Sequence, residues 1–274
     1  MAYPAVRSFA LFRADGHAIV VSMSEPLIDI VPVSGHLGAA RWQAVAPRGA
    51  VAGVASLRPI IPVGPSTPEL TVYVDPAWRR RGIGSRLLAA VRAQVAEPRL
   101  VADVVPGSPG EAFCQRHGFR HARSRRHHLL TYCDVHRAWL GELVDAEHAG
   151  YRLTHWTGDL PDAPRVEELL RSPSRPGNAL LTAVDADGDL AAYAVAVVGV
   201  LPETRAQQWG PAVLSGHRGR RLGRWVNAAL IQRLSEVHPH VTGIETATAE
   251  GDRHLQDLGF RLVRRTHLYV SRST

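Results

Sequence analysis

A segment that turns from a β-branched run through arginines and glycines into a helix-like pattern occurs twice in this chain. It reads VYVDPAWRRRGIGSRLL at 72–88 and, altered, AVLSGHRGRRLGRWVN at 212–227, with Arg218 lying 139 residues after Arg79. The repeat is not local. AVAPRGAVAGVA from Ala44 has its partner in AVDADGDLAAYA from Ala183, again 139 apart, and each reads as strand, tight turn, strand. HGFRHARSRRHHLL (117–130) returns as LGFRLVRRTHLYV (258–270), displaced by 141 at the glycine. Matching features in one order at near-constant spacing mark a duplication, which rules out one large unrepeated fold. The expected domains are residues 1–135 and 151–274, joined by a helix-like linker at 136–150.

Each copy runs hairpin, strand, loop, helix, strand, helix, strand, which gives an α/β fold with a mixed sheet. The first loop opens a helix predicted from Gly82 to Glu97, with Ile83, Leu87, Val91 and Val95 on one face and Pro98 as its stop. Its twin places Leu222, Val226, Leu230 and Leu234 alike and stops before Pro239. LVADVV (100–105) and VTGIETAT (241–248) are the next strands. Glycines at 82 and 84 let the backbone turn sharply and approach a bound group closely. Free amides and the macrodipole at the helix start favour an anion there by about 0.3–1 kcal/mol, and Arg79, Arg80 and Arg81 add charge. The order of residues fits neither a P-loop nor a dinucleotide fingerprint.

Strand, R-x-x-G-x-G, helix and a later Gly–Phe together resemble the GNAT N-acetyltransferase superfamily, and they do so twice. The resemblance implies that loop amides hold the coenzyme A pyrophosphate and that the preceding strand pairs with the pantetheine arm. Carried onto this chain, it assigns acyl-CoA binding to Val72, Tyr73, Val74, Arg79, Arg80, Arg81, Gly82, Ile83, Gly84 and Ser85. A second such loop comprises Val213, Arg218, Gly219, Arg220, Arg221, Leu222, Gly223 and Arg224. Arg221 stands where the first copy has Gly82, and a non-glycine residue in a left-handed turn costs about 1–2 kcal/mol. The first copy is therefore taken as the working one and the second as the more degenerate.

The resemblance also implies a carboxylate base near the start of the central strand. Glu69, ten residues before Arg79, is that candidate, and its counterpart at the 139 offset is Gln208, which cannot take a proton. A positioned base contributes about 10²–10⁴ in rate. The family's acid, a tyrosine four residues before the Gly–Phe glycine, is replaced by Cys114 and Leu255. Cys114 is a weak candidate acid, more readily read as a small buried core cysteine.

All 32 basic residues are arginine, and the net charge is +7, of which +5 lies in residues 1–150. This excess, segments 123–128 and 264–265, and an acceptor side that looks short and broken at 25–38 keep a second reading open: transfer of an aminoacyl group from tRNA to an amine. The leading reading is acyl transfer from acetyl-CoA or another acyl-CoA to a primary amine of a small metabolite, peptide or protein. A catalytically silent CoA-binding or regulatory pair is the third. Fourteen histidines and two cysteines show no HExxH or zinc-ribbon spacing, so no metal is expected. With no apolar run near the roughly 18 residues of a membrane span and no signal-like start, a cytoplasmic enzyme without membrane contact, monomeric or homodimeric, is expected.

Overall fold

The computed structural model describes residues 9–14, 17–22, 28–33, 40–58, 67–94, 99–146, 148–161, 165–199, 204–249 and 253–271. Two compact units divide the chain. One holds the described residues up to 33, together with 40–56 and 72–94. The other holds those between 57 and 71 and everything described from 99 on.

In the first unit, β1 (Phe9–Ala14) and β2 (His17–Ser22) form an antiparallel hairpin. β3 (Asp29–Val33) pairs antiparallel with β4 (Ala40–Val45), and β5 (Val51–Arg58) follows a turn in which Arg48 and Gly49 both have positive φ. β6 (Glu69–Val74) leads into the first loop and α1 (Ile83–Gln94). Ile83, Leu87 and Val91 are buried on the face that their spacing predicts, and the indole of Trp42 donates to Gln94 Oε1 at 3.0 Å. Val95, Glu97 and Pro98, the predicted end of this helix, lie outside the described residues. Gly53 is required by packing: a Cβ there would lie 2.8 Å from the carbonyl oxygen of Tyr73.

The second unit is built on a mixed sheet. Its elements are β7 (Val101–Val104), α2 (Pro109–Arg116), β8 (Arg120–Thr131), α3 (Arg137–Asp145), β9 (Arg152–Gly158), α4 (Val166–Arg171), β10 (Ala179–Ala186), β11 (Asp189–Val198), β12 (Arg205–Val213), α5 (Leu222–Val237), β13 (Gly243–Thr248), α6 (Arg253–Asp257) and β14 (Arg261–Val270). The strands lie in the order β7-β14-β8-β13-β12-β11-β10-β9, all antiparallel except β12 beside β13. Glu69 at the start of β6 pairs in parallel with Val101. The β10–β11 turn repeats the first hairpin's conformation, with Asp187 and Gly188 both at positive φ.

Alternate residues of β10 serve two apolar clusters. Leu180 and Val184 pack with α5, whereas Ala179, Leu181 and Ala183 pack with Trp156, Val166 and Leu169. With both faces covered, β10 and β11 read as near-continuous apolar runs. Leu222, Val226, Leu230 and Leu234 of α5 are all within 1% of full burial. The predicted linker helix is α3, capped by His136 accepting from Trp139 N–H at 3.1 Å, and it lies along α5.

Strand order shows a feature that the repeat alone does not announce. The last strand of each sequence copy lies beside the next-to-last strand of the other: β14 pairs with β7, and β8 pairs with β13. β8 and β14 then pair with each other, and Arg125 faces Thr266, its own repeat counterpart at the 141-residue offset of this segment. A residue paired with its counterpart sits on a local two-fold axis, so the two copies are knit by an exchange of final strands. Phe260, 2% exposed at the start of β14, anchors that strand. Phe260→Ala should cost about 3–5 kcal/mol in urea unfolding, whereas Val263→Ala, at a position 52% exposed, should stay within about 0.5 kcal/mol of the parent.

Candidate active site

The first loop is shaped by its own short-range bonds. Asp75 accepts from Ala77 N–H at 2.9 Å and caps a single 3-10 turn, Pro76–Trp78, whose first residue needs no donor. Arg79 is extended (φ −65°, ψ 157°) and its Nε donates to Val74 O at 3.1 Å. Arg80 (φ 65°) and Gly82 (φ 76°) are left-handed, and α1 begins at Ile83. Arg86 N–H is the first to fold back onto the loop, to Gly82 O at 3.1 Å, which leaves the amides of Ile83 and Gly84 ahead of the helical ladder. Arg81 lies over the Trp78 ring, 5.1 Å from its centroid.

The second loop follows the same path. A 3-10 turn, Ser215–His217, precedes Arg218 at φ −65°, ψ 156°. Gly219 (φ 79°) and Arg221 (φ 59°) are left-handed, and α5 begins at Leu222. Each loop thus holds one glycine and one arginine at its two left-handed positions, in opposite order. The strain expected at Arg221, about 1–2 kcal/mol, is present, but Arg80 imposes an equal one on the first loop. By backbone shape neither loop is the degenerate one.

Beside the second loop lies a cavity of about 410 Å³, walled by Gly219, Arg220, Arg221, Arg224, Trp225 and, from the segment after α3, His148. His148 stacks on Trp225 with ring centroids 4.2 Å apart, and burial pulls its imidazole below the usual range. Tyr151 OH accepts from Arg220 at 2.6 Å and lies 3.0 Å from His217 Nδ1. The linker therefore supplies a wall of the second loop's cavity, a role that no motif in 136–150 signals.

Glu69 belongs to a half-buried charge cluster on one face of the second unit's sheet. Burial raises its carboxyl above the usual range, with Arg125 opposing. Nη1 of Arg125 lies 3.0 Å from Asp103 Oδ2 and 4.0 Å from Glu69 Oε2. His127 Nε2 sits 3.1 Å from the same Asp103 oxygen and 2.8 Å from Thr266 Oγ1. On the other side of the ring, Nδ1 lies 3.5 Å from Glu245 Oε1, which accepts from Arg264 at 2.6 Å. Burial alone would raise Asp103, but hydrogen bonds from His127 and Thr266 and the charge of Arg125 outweigh it and hold the carboxyl low. Arg125 and Thr266 are repeat counterparts at the 141 offset of this segment and face each other across β8 and β14. The cluster straddles the local two-fold axis.

Gln208, the counterpart of Glu69, is 4% exposed and donates to Asn227 Oδ1 at 2.7 Å. Cys114 is 3% exposed, and burial first, then Glu111, pushes its thiol up to about 11. The sequence reading missed a phenol beside it: Tyr269, from β14, donates to Glu111 at 2.9 Å and accepts from Gln115 at 3.1 Å. Val72, Tyr73 and Val74 end β6, with Tyr73 54% exposed. Among the described residues no group of three or more His, Cys, Asp or Glu could hold a metal ion, and no helix is long and apolar enough to cross a membrane.

Residues 40–121 match the family model for an acetyltransferase (GNAT) domain. The fold is similar to that of a tandem GNAT protein from the clavulanic acid biosynthesis pathway, solved without acetyl-CoA: TM-score 0.58, 25% identity, 86% of this chain and 83% of that one. It is also similar to GCN5-related N-acetyltransferases from Kribbella flavida (TM-score 0.55, 19% identity, 82% and 89% covered) and Sphaerobacter thermophilus (0.51, 16%, 84% and 80%). No curated protein matches by sequence.

Glu111 is a test of local electrostatics. The Gly107 amide, then His267 and Tyr269, hold its carboxyl down from 4.5 to about 2. A depressed carboxyl stabilises the fold above its unfolded value and loses that contribution as pH falls toward the folded value. Glu111→Gln should therefore be less stable than the parent at pH 7 in denaturant unfolding, with the difference shrinking as pH drops from 4.5 to 2.

Proposed function

This chain is a tandem member of the GNAT superfamily of acetyltransferases, and from that premise we propose that it transfers an acyl group from acyl-CoA to a primary amine in a ternary complex. The observation that carries the reading is the shared path of the two arginine–glycine loops. Each turns a strand into a helix, with amides ahead of the helical ladder and arginines in the same loop, the kind of helix start that can hold a diphosphate. The second loop opens on a cavity with three arginines and an aromatic stack. Residues 79–85 of the first loop and 218–224 of the second would each hold the diphosphate of a CoA. Binding supplies position, so that the amine attacks the thioester carbonyl directly and the thiolate leaves.

The base separates the copies. Glu69 is a carboxylate whose basicity burial raises above the ordinary value, so it can accept the ammonium proton, while Gln208 cannot. Chemistry is assigned to the first copy for this reason and not for loop shape. The donor of the leaving group's proton is left to solvent, because the Cys114 thiol is closed off in the core.

Glu69→Gln should lower kcat by about 10²–10⁴ in a thiol-release assay while leaving KM for acyl-CoA within about twofold of the parent, since uniform binding is untouched. A kcat within about threefold of the parent would remove Glu69 from the base role. Gly82→Glu and Arg221→Glu place a carboxylate in each loop in turn. A Cβ at Gly82 meets nothing within 4 Å, so charge and the left-handed backbone, not a clash, would be responsible for its loss of binding. Gly82→Glu should abolish turnover, and Arg221→Glu should spare it. Loss with ribonuclease, in place of dependence on acyl-CoA, would favour aminoacyl-tRNA as donor.

A further inference from the structure

One nitrogen of Arg125 serves two carboxylates unequally, 3.0 Å from Asp103 and 4.0 Å from Glu69. We infer that Arg125 is a positioning residue for Glu69, and that Asp103 on β7 decides how much of its charge Glu69 receives. The inference rests on the reading of Glu69 as base.

Four charged or titratable groups face Glu69: Arg58 from β5, Asp103 from β7, and Arg125 and His127 from β8. Arg125 comes within 4.0 Å, close enough for its charge to act on the carboxylate without a direct bond. Its side chain is only 15% exposed, so the pull is poorly screened. A full contact would lower a carboxylate by about 1–3 pH units and leave a feeble base. Asp103 prevents that contact by holding the guanidinium at a charge-assisted bond length. Asp103 is itself held by His127, and His127 by Thr266 of the second copy. The second copy's exchanged strand thus completes the support of the first copy's base. On the far side of His127, Arg264 pairs with Glu245, and in the second copy Gln208 stands at the position equivalent to Glu69, so no carboxylate is there to tune.

The test is a mutant cycle on the full chain, read by carbon-13 NMR titration of the Glu69 carboxyl, with Glu69→Gln assigning the resonance. Asp103→Asn, isosteric with the parent, should lower the midpoint by about one pH unit or more, because Arg125 then closes on Glu69. Arg125→Gln should raise it. Removing the Asp103 charge also lowers Glu69 directly, so the deciding quantity is the Asp103→Asn shift measured in the Arg125→Gln background. The account requires that shift to be less than half its size in the parent. Equal shifts in the two backgrounds, or a midpoint unmoved by Arg125→Gln, would overturn it. Should Arg125→Gln fail to fold, Arg125→Met, which fills similar space without charge, takes its place. The acid limb of kcat/KM should follow the NMR midpoint. A limb that stays put while the midpoint moves would remove Glu69 as base and leave the tuning intact.

Discussion

The pairing of β8 with β14 is the contact on which most of this structure depends. Each strand ends one copy of the duplicated sequence, and each carries its neighbour from the other copy, β13 or β7. A copy that lacked the exchanged strand would leave an unpaired edge along β7 or β13, with a row of unsatisfied amides and carbonyls. Duplication followed by exchange closes both edges within one chain. It also brings residues of the two copies into contact, as with His127 and Thr266.

That geometry explains an otherwise expensive arrangement of charge. Asp103, Arg125, His127 and Glu245 are mostly withdrawn from water, and buried ions stabilise little unless each is bonded. Here two carboxylates and two arginines lie about a histidine whose Nε2 meets Asp103 and Thr266 and whose Nδ1 meets Arg264 and Glu245. The same cluster carries Glu69 at its margin. A structural network and the carboxylate proposed as base therefore share their electrostatics.

The sequence made much of this plain and hid the rest for physical reasons. Both hairpin turns, both loops and the buried faces of α1 and α5 were legible because turn chemistry and helical period are local. The final strands were legible as strands, yet not their partners, since alternation in RSRRHH and RRTH fits several neighbours equally. Arg80 and Arg221 mislead: arginine is not a left-handed residue by preference, so reading glycines alone made the second loop look worn. The interchange of glycine and arginine between the two left-handed positions appears only in the dihedral angles. The wall that His148 gives the second cavity was equally hidden, because a linker helix carries the same apolar spacing wherever it packs.

The central claim is that both arginine–glycine loops clasp the diphosphate of a CoA. Isothermal titration of the folded, full-length chain with CoA tests it most directly. The account predicts saturable binding with one CoA for each loop, reduced to one per chain by Arg221→Glu. A chain with native circular dichroism that gives no heat of binding with CoA or acetyl-CoA would contradict it.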